Sequence, residues 1–104
     1  RQSYQAYGQW NQAYPESGLL NNDYAWLMAR CGRHLDQAMV HAKKAVEIAP
    51  DNGSYLDTLA EVYFQQGDRE SAVDLSRRAV HLRPDSETLR AQLDRFQNDA
   101  LPSS

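Results

Sequence analysis

This sequence of 104 residues predicts an all-α fold of stacked helical hairpins, on two observations. The phrase AVEIAPDN at 45–52 returns as AVHLRPDS at 79–86, so Pro50 maps onto Pro84, Ala45 onto Ala79 and Ala38 onto Ala72. The interval, 34 residues, is the length of one helix–turn–helix unit. Apolar and small residues also recur three and four apart through both copies, as one face of a helix requires. Nothing reads as a strand: AVEIA is β-friendly in isolation but closes a long helical pattern.

Composition bounds what such a chain can be. One small domain is the expectation, with 41% apolar and 24% charged residues, hence a thin, elongated core. A net charge of −3 argues against nucleic acid or an anionic membrane as the main partner. No run of eighteen apolar residues and no charged-then-apolar leader is present, so neither a membrane span nor a signal peptide is expected. Cys31 is the single cysteine and cannot form an internal disulfide. A soluble protein is expected, cytoplasmic in preference to periplasmic. Because the first residue is Arg1 and not Met, a fragment of a longer protein is expected.

The elements follow in order. Residues 1–15, RQSYQAYGQWNQAYP, fit the second helix of a truncated preceding unit, with Tyr4, Tyr7, Trp10 or Asn11, and Tyr14 on one face and Pro15 standing 35 residues before Pro50. A Tyr/Gln-rich tail is the competing reading, and Gly8 costs that helix about 1 kcal/mol relative to alanine. The first full unit spans 18–51 and the second 52–85. In the second, Leu56, Leu59, Ala60 and Tyr63 form one helical stripe and Gly67 stops that helix. The next helix carries Ala72, Val73, Leu75, Ser76, Ala79, Val80 and Leu82, small residues that allow close helix approach, and Pro84 ends it. GRHLDQA in the first unit has one residue more than GDRESA in the second, so the first turn should be longer by one. Residues 86–99 read as a capping helix: Asp85 or Ser86 is the N-cap, Leu89, Leu93 and Phe96 form the apolar face, and Arg90, Gln92, Asp94 and Arg95 the polar one. Residues 100–104 read as a frayed tail.

The two units resemble the tetratricopeptide repeat. The family's signature places hold Asn21, Tyr24, Ala25, Met28, Ala38, Ala42, Ala45 and Pro50 in the first unit. In the second they hold Leu56, Leu59, Ala60, Tyr63, Ala72, Ser76, Ala79 and Pro84. Asn21 departs from the pattern by replacing a large apolar residue, and Ala42 and Ser76 stand where an aromatic is usual. NNDYAWLMA followed by YLDTLAEVYFQQGD also looks like the C-terminal repeats of large bacterial proteins.

Sharper chemistry finds little support. Cys31, His34 and His41 have loose metal-ligand spacing, but the remaining histidine, His81, belongs to the other unit, so solvated histidines are the simpler reading and no metal or other cofactor is expected. Asp36, His41 and Ser71 lack the spacing of a nucleophile and its base, and no phosphate loop is present, so no enzyme activity is expected. Lys43-Lys44 and Arg77-Arg78 occupy equivalent places and read as solvated face before they read as a basic ridge.

The resemblance implies a protein–protein interaction module or scaffold whose first helices line a concave groove for a peptide or helix of a partner. The inferred groove places hold Asn22, Trp26 and Arg30, then Asp57, Glu61 and Gln65, then Ala91 and Arg95. Asp57 and Glu61 would repel a terminal carboxylate, so the family's carboxylate-gripping mode is not expected. An acidic centre beside Trp26, flanked by Arg30 and Arg95, suits a ligand with basic and apolar residues. A structural segment that stacks on upstream repeats or on another copy is the alternative.

Overall fold

The computed structural model describes residues 17–102, and all regular structure in that range is helical. The helices are α1 (Gly18–Cys31), α2 (Leu35–Ile48), α3 (Gly53–Gln65), α4 (Arg69–Leu82) and α5 (Glu87–Asn98). The helix expected over 1–15 lies outside the described residues, as do the last two residues of the tail.

Local chemistry sets most of the boundaries. Ser17, Asn52, Asp68 and Ser86 each stand one residue before a helix and accept a hydrogen bond from a backbone N–H of its first turn, at 3.1–3.2 Å. Such caps satisfy amides that have no partner within the helix. At the other ends, Ala49 (φ −138°, ψ 80°) and Arg83 (φ −133°, ψ 70°) leave the helical region just before Pro50 and Pro84. The proline ring excludes the helical conformation from the residue before it, which explains why both copies stop at the same place.

The longer first turn is present. Gly67 (φ 89°) is followed by Asp68 alone before α4 begins, whereas Gly32 (φ 65°) is followed by Arg33 and His34 before α2. His34 absorbs the extra residue in a left-handed conformation (φ 52°) and gives α2 no side-chain cap, so the insertion costs both strain and a hydrogen bond.

The helices pair as two antiparallel hairpins, α1 with α2 and α3 with α4, closed by α5. α1, α3 and α5 lie side by side in that order, while the backbones of α2 and α4 make no close approach to each other. The body measures 36 × 31 × 19 Å, so it is about two helix diameters thick. Among the described residues, two hairpins and a closing helix thus make a thin slab, a little longer than it is wide.

Ala38, Ala45, Ala72 and Ala79 are completely buried at the helix crossings, as the small-residue stripe requires. Ala42 and Ser76 are buried as well, so the aromatic of the family pattern would not fit here. Leucine at position 72 or 79 should overpack and cost about 1–3 kcal/mol. Arg78→Ala, at an exposed site, should stay within about 0.5 kcal/mol, both read by urea denaturation. Ser71 is not the ordinary surface site its sequence position suggests, because its hydroxyl donates to Asp68 Oδ2 at 2.8 Å while its amide is capped by Oδ1.

Asn21 explains its own departure from pattern. It is fully buried, donates through Nδ2 to Ser17 O at 2.7 Å and meets His41 Nδ1 through Oδ1 at 2.8 Å. His41 also packs edge-on against Tyr24, so it is a structural residue and not the solvated one expected. Its pKa is lowered, first by burial and then by the nearby Lys44 charge.

Candidate functional site

α3 touches each of the other four helices, and that central position decides which of its side chains reach the surface. Leu56, Thr58, Leu59, Ala60, Glu61, Val62 and Phe64 are all buried, a belt far wider than the stripe read from the sequence. Phe64 packs on Phe96 with ring centroids 5.2 Å apart. Asp57 lies on the one edge of α3 that opens between α1 and α5, and its carboxylate reaches a groove of about 500 Å3.

The groove is lined by Trp26 and Arg30 of α1, Asp57 of α3, and Thr88, Ala91, Gln92 and Arg95 of α5. Four of the residues expected at the site, Trp26, Arg30, Asp57 and Arg95, thus come together. Ala91 forms part of the wall, as its place in the pattern implies. Asn22, Glu61 and Gln65 do not line the groove. Thr88 and Gln92 were missed, although their spacing with Ala91 and Arg95 (88, 91, 92, 95) already marks one face of α5. α5 is consequently not a cap with a purely solvated polar side, since Gln92 and Arg95 turn inward to α3.

Glu61 is the largest departure from the expected acidic centre. It is 2% exposed, and Arg95 grips it through two bonds, Nη1 to Oε1 at 2.6 Å and Nη2 to Oε2 at 2.9 Å. Gln65 Nε2 donates to Oε2 at 2.7 Å. Burial alone would raise the Glu61 pKa, but the Arg95 bonds, then Gln65, then the Arg95 charge outweigh it and hold the carboxyl below its ordinary value. The guanidinium also lies 5.2 Å from the ring centres of both Phe64 and Phe96, so it packs against the aromatic pair as well as pairing with Glu61. Arg95 therefore serves Glu61, and Arg30 neutralises neither acid: it lies 5.6 Å above the Trp26 ring.

Asp57 is left as the groove's uncompensated carboxylate. Its two oxygens share only the Gln92 Nε2 donor, at 3.4 Å each, the long end of hydrogen-bonding distance, and it forms no ion pair among the described residues. Burial first of all, with the Glu61 charge adding, pushes its pKa up to about 6 from 3.8, against the opposing Gln92 bond and Arg95 charge. A carboxyl with a raised folded pKa contributes stability below its unfolded pKa and loses that contribution as pH rises through the folded value. Ionised Asp57 thus burdens the fold above about pH 6. Asp57→Asn should be more stable than the parent by about 1–2 kcal/mol at pH 7.5, an advantage that shrinks towards zero at pH 4. Denaturant midpoints at the two pH values test this, and a pH-independent difference would contradict it.

Trp26 completes the geometry. It is 47% exposed, beside the packing stripe and not inside it, with its ring at the groove wall. Among the described residues, no helix is long and apolar enough to cross a membrane. No protein-family model matches the chain, and no curated protein matches it.

Proposed function

We propose that this chain is a protein-interaction module, similar in build to tetratricopeptide repeats and without catalytic chemistry, that takes a peptide or helix of a partner into the groove between α1, α3 and α5. The observation that carries this reading is Asp57 in its groove. A buried-edge carboxylate without a cationic partner, kept at a cost to stability, is what a site awaiting a ligand needs and what a purely structural surface does not. The half-exposed indole of Trp26 beside it supports the reading, because a rigid amphipathic ring is a favoured anchor at interfaces.

Selection of displayed peptides against the wild-type chain, with Trp26→Ala as the counter-target, tests the proposal. Peptides that bind wild type and lose most of their affinity for Trp26→Ala are expected, with helix content unchanged by circular dichroism. Peptides indifferent to Trp26→Ala would move the binding surface elsewhere.

One observation favours self-association instead. Leu19 (60% exposed) and Val40 (63%) both belong to the first hairpin, which would suit a face that another copy covers. Sedimentation equilibrium separates the readings. A docking module stays monomeric without ligand, whereas a stacking segment gains mass with concentration and loses that gain in Leu19→Ser/Val40→Ser.

A further inference from the structure

We infer that the groove contains a subsite for a lysine side chain, formed by the Asp57 carboxylate and the Trp26 indole, so that the partner peptide presents a lysine beside an apolar residue. The inference deepens the peptide-groove reading above and rests on it.

Charge accounting gives the sign of the ligand. Four charged groups stand at or under the groove: Arg30, Asp57, Glu61 and Arg95. Glu61 and Arg95 cancel in a closed bidentate pair, and Arg30 lies over the face of Trp26, 5.6 Å from the ring centre. Arg30 has no carboxylate partner among the described residues either, but it sits against the indole, so Asp57 is the groove's unpaired anion, in a partly desolvated position where a single ion pair is worth more than at an open surface. The ligand group that pairs with this carboxylate is therefore a cation.

Geometry narrows the cation to an ammonium. A guanidinium would seek both oxygens of Asp57 at once, but the amide nitrogen of Gln92 already sits equidistant from the two, at 3.4 Å each, in the fork such a group would occupy. The outward lone pairs remain, and a compact ammonium needs only one or two of them. The four-carbon stem of lysine can then lie along the indole of Trp26 while its head reaches Asp57. Arg30 keeps the ammonium itself away from the indole, so the stem and the charge are read by different residues.

The experiment uses three peptides, acetyl-Ala-Leu-Lys-Leu-Ala-amide and its counterparts with norleucine or arginine at the centre. The acetyl group removes the terminal amine, so the side-chain ammonium is the sole source of that chemistry. Binding is followed through the Trp26 indole N–H signal in nitrogen–proton correlation spectra, with Trp26→Phe to identify it. The lysine peptide is expected to bind at least about tenfold more tightly than the norleucine peptide at pH 7.5, and more tightly than the arginine one. The preference over norleucine should disappear in Asp57→Asn and fall towards parity at pH 5. Equal binding of the lysine and norleucine peptides, or a preference that survives Asp57→Asn, would overturn the subsite while leaving the peptide groove intact. Tighter binding of the arginine peptide would overturn the choice of lysine. No shift of the Trp26 signal with any of the three would overturn the groove reading and the subsite together.

Discussion

Arg95→Ala is expected to destabilise the fold by about 3–4 kcal/mol at pH 7.5, because it strands the Glu61 carboxylate in the interior. Glu61 is 2% exposed, and both of its bonds from a charged donor come from that one guanidinium, at 2.6 and 2.9 Å. What remains, Gln65 at 2.7 Å and Gln92 at 3.4 Å, supplies neutral donors and no charge. The variant also loses the guanidinium packed against the Phe64–Phe96 pair, which adds to the cost. The effect has a pH signature. In the parent, Glu61's folded pKa is depressed, so its contribution is present above the unfolded value and lost as pH falls through the folded one. Without Arg95 burial dominates and the pKa must rise, so the gap between parent and variant should narrow steadily from pH 7.5 to pH 4. The double variant Glu61→Leu/Arg95→Leu should recover most of the loss, since an apolar pair avoids both desolvation penalties. Denaturant unfolding of all three proteins at several pH values checks the prediction. A loss in Arg95→Ala that does not vary with pH would mean that packing, and not charge, is what Arg95 supplies.

Phe96→Ala should cost about 3–5 kcal/mol, as large aromatic truncations in a core do. Phe96 is fully buried, packs on Phe64 and joins the cluster that Ala60 and Ala72 complete. Leu89 is the only other buried residue of α5, so the helix is anchored at two points, one near each end. Removing the second anchor also loosens the Arg95–Glu61 pair beside it. The bonds from Arg69 to the carbonyls of Phe96 and Asp99, both 2.8 Å, involve backbone oxygens and survive the substitution. The loss should therefore fall first on α5, as expected where each element is stabilised by its nearest neighbours. Amide hydrogen exchange should show α5 unprotected while α1 and α2 keep their protection. Uniform loss of protection across all five helices would show instead that the slab unfolds as one unit. Either outcome matters for the groove, one wall of which is α5.

These two side chains also mark where reading the chain by itself stops. The helices were legible residue by residue because their causes are local. Pro50 and Pro84 exclude the helical region from the residues before them, Gly32 and Gly67 adopt positive φ, and Ser86 offers a side-chain oxygen one residue before the last helix, as Ser17, Asn52 and Asp68 prove to do for three others. The alanine stripe was legible for a related reason: a side chain that small at helical spacing is wanted chiefly where another helix crosses closely. Much of the candidate site was reached through the resemblance, whose groove places include Trp26, Arg30, Asp57, Ala91 and Arg95. What only the tertiary structure decided is which partner each polar side chain finds. Periodicity assigns a residue to a face of its own helix, but α3 is enclosed by four neighbours and has almost no free face left. Glu61 and Asp57, one turn apart and alike in sequence, therefore part company. The register of α5 against α3 brings Arg95 onto Glu61 and leaves Asp57 facing the groove, and no local rule contains that register.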